Sequence, residues 1–579
     1  MAFYLNKDIC GKNVLIGGRV VIDNDTNIKG NVVTSKSVRT GPLTASTAYV
    51  SELTADTITA KSIARPLEVP ALDAATFRRN TAYDKRVTSS YGQYQITPPE
   101  HTNNGDEESL TPLGIGMYSK GLVHNNIGEP NTASYQSLLT AVTTGRPSDY
   151  DAIIVANPGV SFGKLTSPQA GQAYQNEGAD SHCLSIPPAP QFSSAWRAAE
   201  AVENYWAALL RDVSFTDYGT NSNTDADGLV DAACTELNNL TDYRGPKPVT
   251  PSNIFRASFV GCQNGPWLSQ FLLLPCPVGA SSIDQKITTG TPGDDYLTTF
   301  NEWLHVQNGG TPNFPQTLSP TKVYVRNGRD MATWVHMDVL YQAYFHAMQC
   351  MWALGVPYNQ GNPYNSSQNQ AGFATFGQPH IAALMAEVCS RAIQSSWYQK
   401  WNVHRTIRPE EFGGRVHVLK SELAEYNIHP DILNSDALAR VYNNNGTWLM
   451  PMAFHEGCPT HPSYGAGHST VAGACVTVLK AFYNGSTVIS SPKVPSADGQ
   501  SLVNYVGDPL TVEGELNKVA WNVAFGRTMG GVHWRSDSYE SMLLGERVAI
   551  EILRDQKNLY NENFAGFTFN KFDGTTITI

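Results

Sequence analysis

Three short segments in the last third of the chain carry side chains suited to binding a small oxyanion. They are residues 400–409, 461–468 and 527–533. Lys400 and Arg408 are eight positions apart, a little over two helical turns, which predicts that both point to one side of a helix end and reach one anion. Arg527 adds a third cation. Three cations suit a highly charged tetrahedral oxyanion better than a carboxylate.

A glycine-rich turn precedes one predicted helix in this region. The sequence Gly-Ala-Gly occupies residues 465–467, and a helix is predicted over 468–483. The N-terminus of a helix favours an anion, and glycine lets the backbone approach it closely. His468 and His533 add imidazoles that can bind a metal centre or move a proton.

Each of these segments is weak evidence by itself. A cation near a helix end is more often a solvated partner of the helix dipole, and a single histidine is usually an ordinary core or surface residue. Glycine turns before helices are also common. The ordered combination of all three segments is far more specific.

The elements that must position these segments are mainly helical. Apolar residues recur at helical spacing in five stretches: residues 194–209, 330–354, 381–388, 516–524 and 543–553. Ser194 and Asp330 are candidate N-caps of the first two helices. We therefore expect a mainly α protein, a helical bundle with long loops such as residues 355–377.

The first 70 residues differ from the rest of the chain. Stretches rich in Val, Ile and Thr, broken by glycines, predict short strands with a loose repeat at residues 27–33 and 52–58. Too few large apolar residues are present for an independent core, so we predict a β-rich arm for assembly or attachment. A poorly ordered terminal extension is the alternative. The predicted domains are this arm, residues 1–70, and an α-helical domain, residues 71–579, with the oxyanion site in 397–540.

Composition excludes several classes of protein. The chain of 579 residues has 51 acidic and 40 basic side chains, a net charge of -11, which disfavours nucleic acid and anionic membranes as partners. The first residues do not form a signal-peptide pattern and no run of 18 apolar residues occurs, so we expect a soluble protein, cytoplasmic by default. Nine scattered cysteines argue against a zinc ribbon or a disulfide scaffold, although spacing leaves a Cys262–Cys276 bridge open.

The three segments together resemble the signature of the vanadium-dependent haloperoxidases and the related acid and lipid phosphatases. In that signature Lys and Arg-Pro come first, then Pro-Ser-Gly-His, then Arg and His. The matching residues are Lys400-x7-Arg408-Pro409, Gly465-Ala466-Gly467-His468 and Arg527-x5-His533. The x7 spacing and the sequence around Lys400 are similar to the algal and cyanobacterial bromoperoxidase branch, and the resemblance covers roughly residues 70 to 570.

The resemblance implies a vanadate cofactor, with vanadium(V), and no haem. It implies that His533 is the metal ligand and that the vanadate oxygens are bound by Lys400, Arg408, Arg527 and the Gly467 amide. Three residues would act in catalysis: His468 beside the apical oxygen, Lys400 by polarising the oxidant, and His461 by handling protons.

The implied reaction is the oxidation of a halide by hydrogen peroxide. Bromide is the expected halide and chloride an alternative, and the hypohalous acid produced would halogenate small organic acceptors. Relatives form dimers or larger assemblies, so we expect a homo-oligomer.

Two positions depart from the family pattern. Ala466 replaces the signature serine and Gly465 replaces the proline before it, which predicts weaker vanadate binding through the loss of one hydrogen bond. Trp397 stands where red-algal bromoperoxidases resemble one another in carrying arginine and fungal chloroperoxidases carry tryptophan. Trp397 is therefore the candidate residue for halide selectivity.

Two other functions fit parts of the sequence. A phosphatase would bind phosphate with the same cations, using His533 as nucleophile and His468 as acid, with Asp537 four residues after His533. The second alternative is a structural, virion-like protein in which the N-terminal arm drives assembly and the pocket is weakened, as Ala466 would allow.

Overall fold

The computed structural model describes residues 74–220, 225 and 227–579, together with the backbone of five strands between residues 2 and 40. The chain divides into two compact units, Met1–Arg79 and Asn80–Ile579. The boundary falls inside the first helix, Ala74–Gln95.

Helices dominate the second unit. The described part of the chain contains α1 (Ala74–Gln95), α2 (Asp106–Ser109), α3 (Thr132–Thr144), α4 (Pro147–Asp151), α5 (Ala195–Leu209), α6 (Leu229–Asn239), α7 (Phe300–Gln307), α8 (Gly328–Met337), α9 (Gln342–Ala353), α10 (Gln378–Tyr398), α11 (Pro409–Lys420), α12 (Pro430–Leu433), α13 (Asp436–Asn445), α14 (Gly467–Phe482), α15 (Val512–Met529) and α16 (Arg535–Leu559). The predicted fold class, mainly α with long loops, is confirmed.

The strands are short. They are β1 (Ala2–Leu5), β2 (Ile9–Ile16), β3 (Arg19–Ile22), β4 (Ile28–Thr34), β5 (Ser37–Thr40), β6 (Cys276–Val278), β7 (Ser281–Ile283), β8 (Lys493–Pro495), β9 (Leu502–Asn504), β10 (Thr568–Asn570) and β11 (Thr576–Thr578). The last six form three antiparallel pairs, β6 with β7, β8 with β9 and β10 with β11.

The first five strands pair in parallel. One sheet has the order β1-β3-β5, and β2 pairs with β4. Ala2 lies opposite Arg19, and Arg19 lies opposite Ser37, so each strand pairs with the strand two places further along the chain. The predicted repeat member at 27–33 falls on and beside β4, whereas the member at 52–58 lies outside the described residues.

Helix α14 lies at the centre of the bundle. Every residue of this helix except His468 is buried, as expected for a helix that is apolar all round. It packs against α10, α15 and α16. Two glycines allow the closest of these approaches, because a Cβ on Gly473 would overlap the Met542 carbonyl and a Cβ on Gly545 would overlap the Thr470 carbonyl.

Helix starts show where sequence reasoning succeeded and failed. Ser194 caps α5 as predicted, its side chain accepting from the Arg197 N–H at 3.1 Å. The predicted helix over 330–354 is wrong: Asn327 caps α8, and the chain leaves the helix at Asp338 before α9 begins. Apolar spacing continues across this break because α8 and α9 both contribute to the same core.

Two further findings bear on class. In the part of the chain that the structure describes, no helix combines the length and the apolar character needed to cross a membrane. The eight described cysteines are free, so the Cys262–Cys276 bridge that the spacing left open is not formed.

Candidate active site

Lys400 and Arg408 reach the site from two different elements. Lys400 lies in a π-helical turn, Gln399–His404, that continues α10. Arg405 then takes a left-handed conformation with φ 40°, and Arg408 is the extended N-cap of α11. The prediction that both cations project from one helix end is therefore wrong, because the chain turns sharply between them. Single π-helical turns of this kind are frequent at functional sites.

Carbonyl groups of the other two segments hold these two cations. Lys400 Nζ donates to the carbonyls of Pro462 at 2.6 Å and Ser463 at 2.9 Å. Arg408 Nη1 donates to the Val532 carbonyl at 2.6 Å. Both side chains are fully buried. The three segments identified in the sequence thus form one hydrogen-bonded unit, and burial, followed by the Arg408 charge, holds the pKa of Lys400 well below its usual range.

The hydrogen bonds of His533 define its tautomer. Its Nδ1 donates to Asp537 Oδ2 at 2.7 Å, and its Nε2 lies 3.1 Å from Arg408 Nη1. An arginine can only donate, so Nε2 carries a lone pair and no proton. Burial, reinforced by the charges of Arg408 and Lys400, lowers the pKa of His533 well below its usual value. This neutral imidazole is the form that binds a metal.

His461 is held in a similar neutral state. Its Nδ1 accepts from Arg408 Nη2 at 2.8 Å, which leaves the proton on Nε2. Burial, with the charges of Lys400 and Arg408, lowers its pKa well below the usual value. The ring packs 4.8 Å, centroid to centroid, from that of Trp397.

His468 begins α14 and has a carboxylate partner. Its Nε2 lies 3.0 Å from Oδ1 of Asp338, the residue at which α8 ends. The side chain of His468 is partly exposed, whereas that of Asp338 is buried. Asp338 therefore orients an imidazole that remains accessible.

A cavity of about 350 Å³ joins most of these groups. Of the predicted site residues, those that line it are Trp397, His461, Gly467, His468, Arg527 and His533. Lys400 and Arg408 lie behind this lining and contact it through Trp397, His461 and His533. The structure thus brings together all eight residues that the sequence selected.

Arg527 occupies the last turn of α15 with unused donor capacity. Its Nη1 donates to the Val335 carbonyl at 2.9 Å, while its buried Nε has no hydrogen-bond partner among the described residues. Burial, and then the charge of Arg408, lowers the pKa of Arg527 to about 10. The charge of Arg408 thus contributes to lowering the pKa of both Lys400 and Arg527, and an anion would stabilise this group of buried cations.

These residues fit an oxyanion whose central atom takes one histidine ligand. Within the residues described, no three His, Cys, Asp or Glu side chains are grouped so as to hold a metal cation. The unpaired Arg527 Nε, the proton-free His533 Nε2 and the Gly467 amide supply donors and one ligand instead. A Cβ on Gly467 would project toward Trp397, 3.0 Å away, and would narrow the cavity.

The cavity-lining residues that sequence reasoning missed include His336, Asp338, Phe454 and Glu456. None of them belongs to the three segments. Asp338 was hidden inside a predicted helix, and Phe454 and Glu456 flank His455 in a loop without a recognisable motif. Their proximity to the site depends on tertiary packing.

Comparison with known proteins places this arrangement in a family. The sequence model of the VCPO second helical-bundle domain matches residues 380–562. The vanadium-dependent bromoperoxidase of Ascophyllum nodosum is 35% identical over 523 residues, which cover 87% of this chain and 92% of that protein. The corresponding protein of Corallina pilulifera is 33% identical over 561 residues, covering 82% and 93%.

A solved structure agrees with these matches. It is the homohexameric second vanadate-dependent bromoperoxidase of Ascophyllum nodosum, which is 30% identical and superimposes with a TM-score of 0.81, covering 91% of this chain and 94% of that chain. The chain therefore belongs to the vanadium-dependent bromoperoxidase family.

Proposed function

We propose that this protein binds vanadate and uses hydrogen peroxide to oxidise a halide, bromide above all, for the halogenation of organic acceptors. The observation that carries the proposal is the proton-free Nε2 of His533 facing a cavity backed by three buried cations. Family membership supports the same reaction. In the balanced reaction, peroxide, bromide, a proton and an acceptor C–H give a C–Br bond and two waters.

The proposed binding roles follow from the donors in the cavity. His533 Nε2 supplies the ligand to vanadium, and Asp537 keeps the proton on the opposite nitrogen. Arg527 Nε and the Gly467 N–H donate to oxygens, as does the ammonium donor of Lys400 not bound to Pro462 or Ser463. Arg408 adds its charge beside His533. Bound vanadate supplies a Lewis-acid centre that activates peroxide without changing its own oxidation state.

The proposed catalytic roles concern protons and charge. His468, accessible and oriented by Asp338, takes and returns protons at the oxidant. His461 presents its Nε2–H from the cavity wall, and Lys400 would place positive charge beside the oxyanion and so polarise the oxidant. Trp397 lines the same cavity and offers an apolar face to the halide, so we assign it the halide selectivity.

The decisive experiment loads purified apoprotein with vanadate and measures bromination of a phenol-type dye. The dye should be brominated only when bromide and peroxide are both present. His533→Ala should abolish vanadate binding and bromination, whereas His305→Ala, at an exposed position outside the cavity, should change neither. Hydrolysis of a phosphate ester without bromination would instead support the phosphatase alternative.

A second test addresses the halide. Trp397→Ala should lower kcat/KM for chloride relative to bromide, because chloride is more strongly hydrated and depends more on an apolar wall. An unchanged ratio of the two values would contradict the assignment of halide selectivity to Trp397.

We further propose that the protein is a homo-oligomer and that the N-terminal arm contributes to assembly. The homohexameric relative supports the first point, and the row of parallel strands β1, β3 and β5 supports the second, since strands at the edge of a sheet can pair with another chain. Light scattering should give a multiple of the chain mass for the full-length protein. An equal number of subunits in a variant comprising residues 71–579 would exclude a role for the arm.

A further inference from the structure

One wall of the cavity carries a carboxylate that the proposed vanadate site does not use. Glu456 lines the cavity, and its Oε1 accepts from His336 Nε2 at 2.5 Å. Its Oε2 is buried and has no hydrogen-bond partner among the described residues. His455 Nε2 lies 3.5 Å from this oxygen, at the outer limit of a hydrogen bond.

Glu456 is ionised at neutral pH. Burial opposes this state, but the hydrogen bond and charge of His336 outweigh it and lower the pKa of Glu456. A buried carboxylate oxygen without a donor is unfavourable, and a donor from a bound molecule would remove that cost. The charge also disfavours an anionic molecule at this wall.

Apolar side chains line the same cavity as this carboxylate. They are Val335, Leu340, Ile393, Trp397 and Phe454. The ring of Phe454 stacks on that of His336 with centroids 4.0 Å apart and planes 14° from parallel. An apolar surface with one oriented polar group is the usual construction of a small-molecule site.

The cavity has room for a second occupant. Its volume of about 350 Å³ lies within the range of small-molecule sites, about 300 to 1,000 Å³. A tetrahedral oxyanion held at the cations fills only part of such a space.

We propose that the Glu456 wall binds the organic acceptor as a small aromatic ring that carries an O–H or N–H donor, with Glu456 Oε2 accepting from that donor. Phenol is the simplest member of this class. The inference rests on the proposed function, because halogenation requires the oxidised halogen to arise in the same cavity. It adds that the ring is bound before it is halogenated and that neutral donor-bearing rings are preferred over anionic ones.

The test measures binding to the apoprotein, so that it does not depend on activity. Saturation-transfer NMR should show phenol binding to the wild-type protein at least about tenfold more tightly than anisole, its O-methyl counterpart, which lacks the donor. Glu456→Gln should weaken phenol binding to the level of anisole. Glu425→Gln, which removes an exposed glutamate outside the cavity, should leave the preference intact.

A second variant distinguishes the contribution of the apolar wall to binding from that of the carboxylate. Leu340→Trp fills the cavity and should reduce binding of phenol and anisole alike. Equal binding of the two compounds to the wild-type protein, or a preference for phenol that persists in a folded Glu456→Gln variant, would overturn the inference. Failure to bind vanadate would overturn the proposed function. The NMR result could still be interpreted, because it is measured on the apoprotein.

With loaded enzyme, a competition experiment gives a product ratio that does not depend on turnover rate. The ratio of brominated phenol to brominated anisole should exceed the ratio given by free hypobromous acid. Glu456→Gln should return it to that reference value. A wild-type ratio equal to the reference would show that the acceptor reacts outside the protein, against the inference.

Discussion

Asp338 Oδ1 lies 3.0 Å from Nε2 of His468 and joins the end of α8 to the start of α14. The contact exists because the chain leaves the helical conformation at Asp338, where its φ and ψ are -68° and 151°. In a continuous helix, Asp338 would have kept helical backbone angles as part of α8. The break therefore supplies the residue that orients the accessible histidine of the site.

Loss of the Asp338 carboxylate should impair turnover more than cofactor binding. We expect Asp338→Asn to lower kcat about 10- to 100-fold, in line with other residues that orient an active-site imidazole, while the Kd for vanadate changes only a few-fold. Steady-state kinetics and equilibrium dialysis give the two quantities. Asp151→Asn, at an exposed position, should affect neither, and a parallel loss of vanadate binding in Asp338→Asn would show a ligand-binding role instead.

Restoring the signature serine should strengthen vanadate binding. Ala466 is buried at the N-cap of α14, and its N–H donates to Ser541 Oγ at 2.7 Å. Because its side chain is a methyl group, it offers no hydroxyl to an oxyanion. Because a hydrogen bond to a charged group contributes about 1.5 to 3 kcal/mol, Ala466→Ser should lower the Kd about tenfold or more. Equilibrium dialysis measures it, with Ala439→Ser on the exposed face of α13 as control. No change would mean that position 466 does not face the oxyanion.

The buried histidine His404 should make the protein sensitive to acid. Both ring nitrogens lack hydrogen-bond partners among the described residues, and the ring packs edge-on against Tyr464. Burial, together with the charge of Arg405, lowers its pKa to about 3. In the unfolded chain its pKa returns to about 6.5, so below that pH the unfolded state binds a proton that the folded state does not. The stability that this residue contributes is thus present above pH 6.5 and lost as the pH falls.

Substitution by phenylalanine should remove this sensitivity. Relative to the wild type, His404→Phe should gain about 2 kcal/mol in free energy of unfolding between pH 7.5 and pH 5. Urea denaturation at the two pH values measures the difference. His305→Phe, at an exposed position, serves as the control. An equal pH dependence in the wild type and in His404→Phe would contradict the assignment.

The close contact of α14 with α16 should not tolerate a methyl group. Because a Cβ on Gly545 would overlap the Thr470 carbonyl, Gly545→Ala should lower the free energy of unfolding by about 1 to 3 kcal/mol. In contrast, a Cβ on Gly92 in α1 meets nothing within 4 Å, so Gly92→Ala should raise stability by up to about 1 kcal/mol. Urea midpoints compare the two variants, and equal effects would refute the steric argument.

Lys400 and Arg408 show how a correct choice of residues can rest on an incorrect geometry. Their spacing predicted two cations on one helix end, and both do reach the site. The chain nevertheless turns at Arg405, and the two cations meet through carbonyls of residues 462, 463 and 532. Local periodicity describes a helix only up to its end, and it does not predict the direction that the chain takes after the helix.

The sequence by itself determined the helical class and the family, and it selected the residues that we propose for the oxyanion site. These depend on residue types and short spacings, which can be recognised without knowledge of the distant contacts. Only the tertiary structure decided the break at Asp338, the tautomers of His461 and His533, and the presence of Glu456 in the cavity wall. Each of these depends on burial and on at least one partner more than 50 residues away in the chain, such as Arg408 for His533 and Glu456 for His336. A local pattern does not encode such pairings.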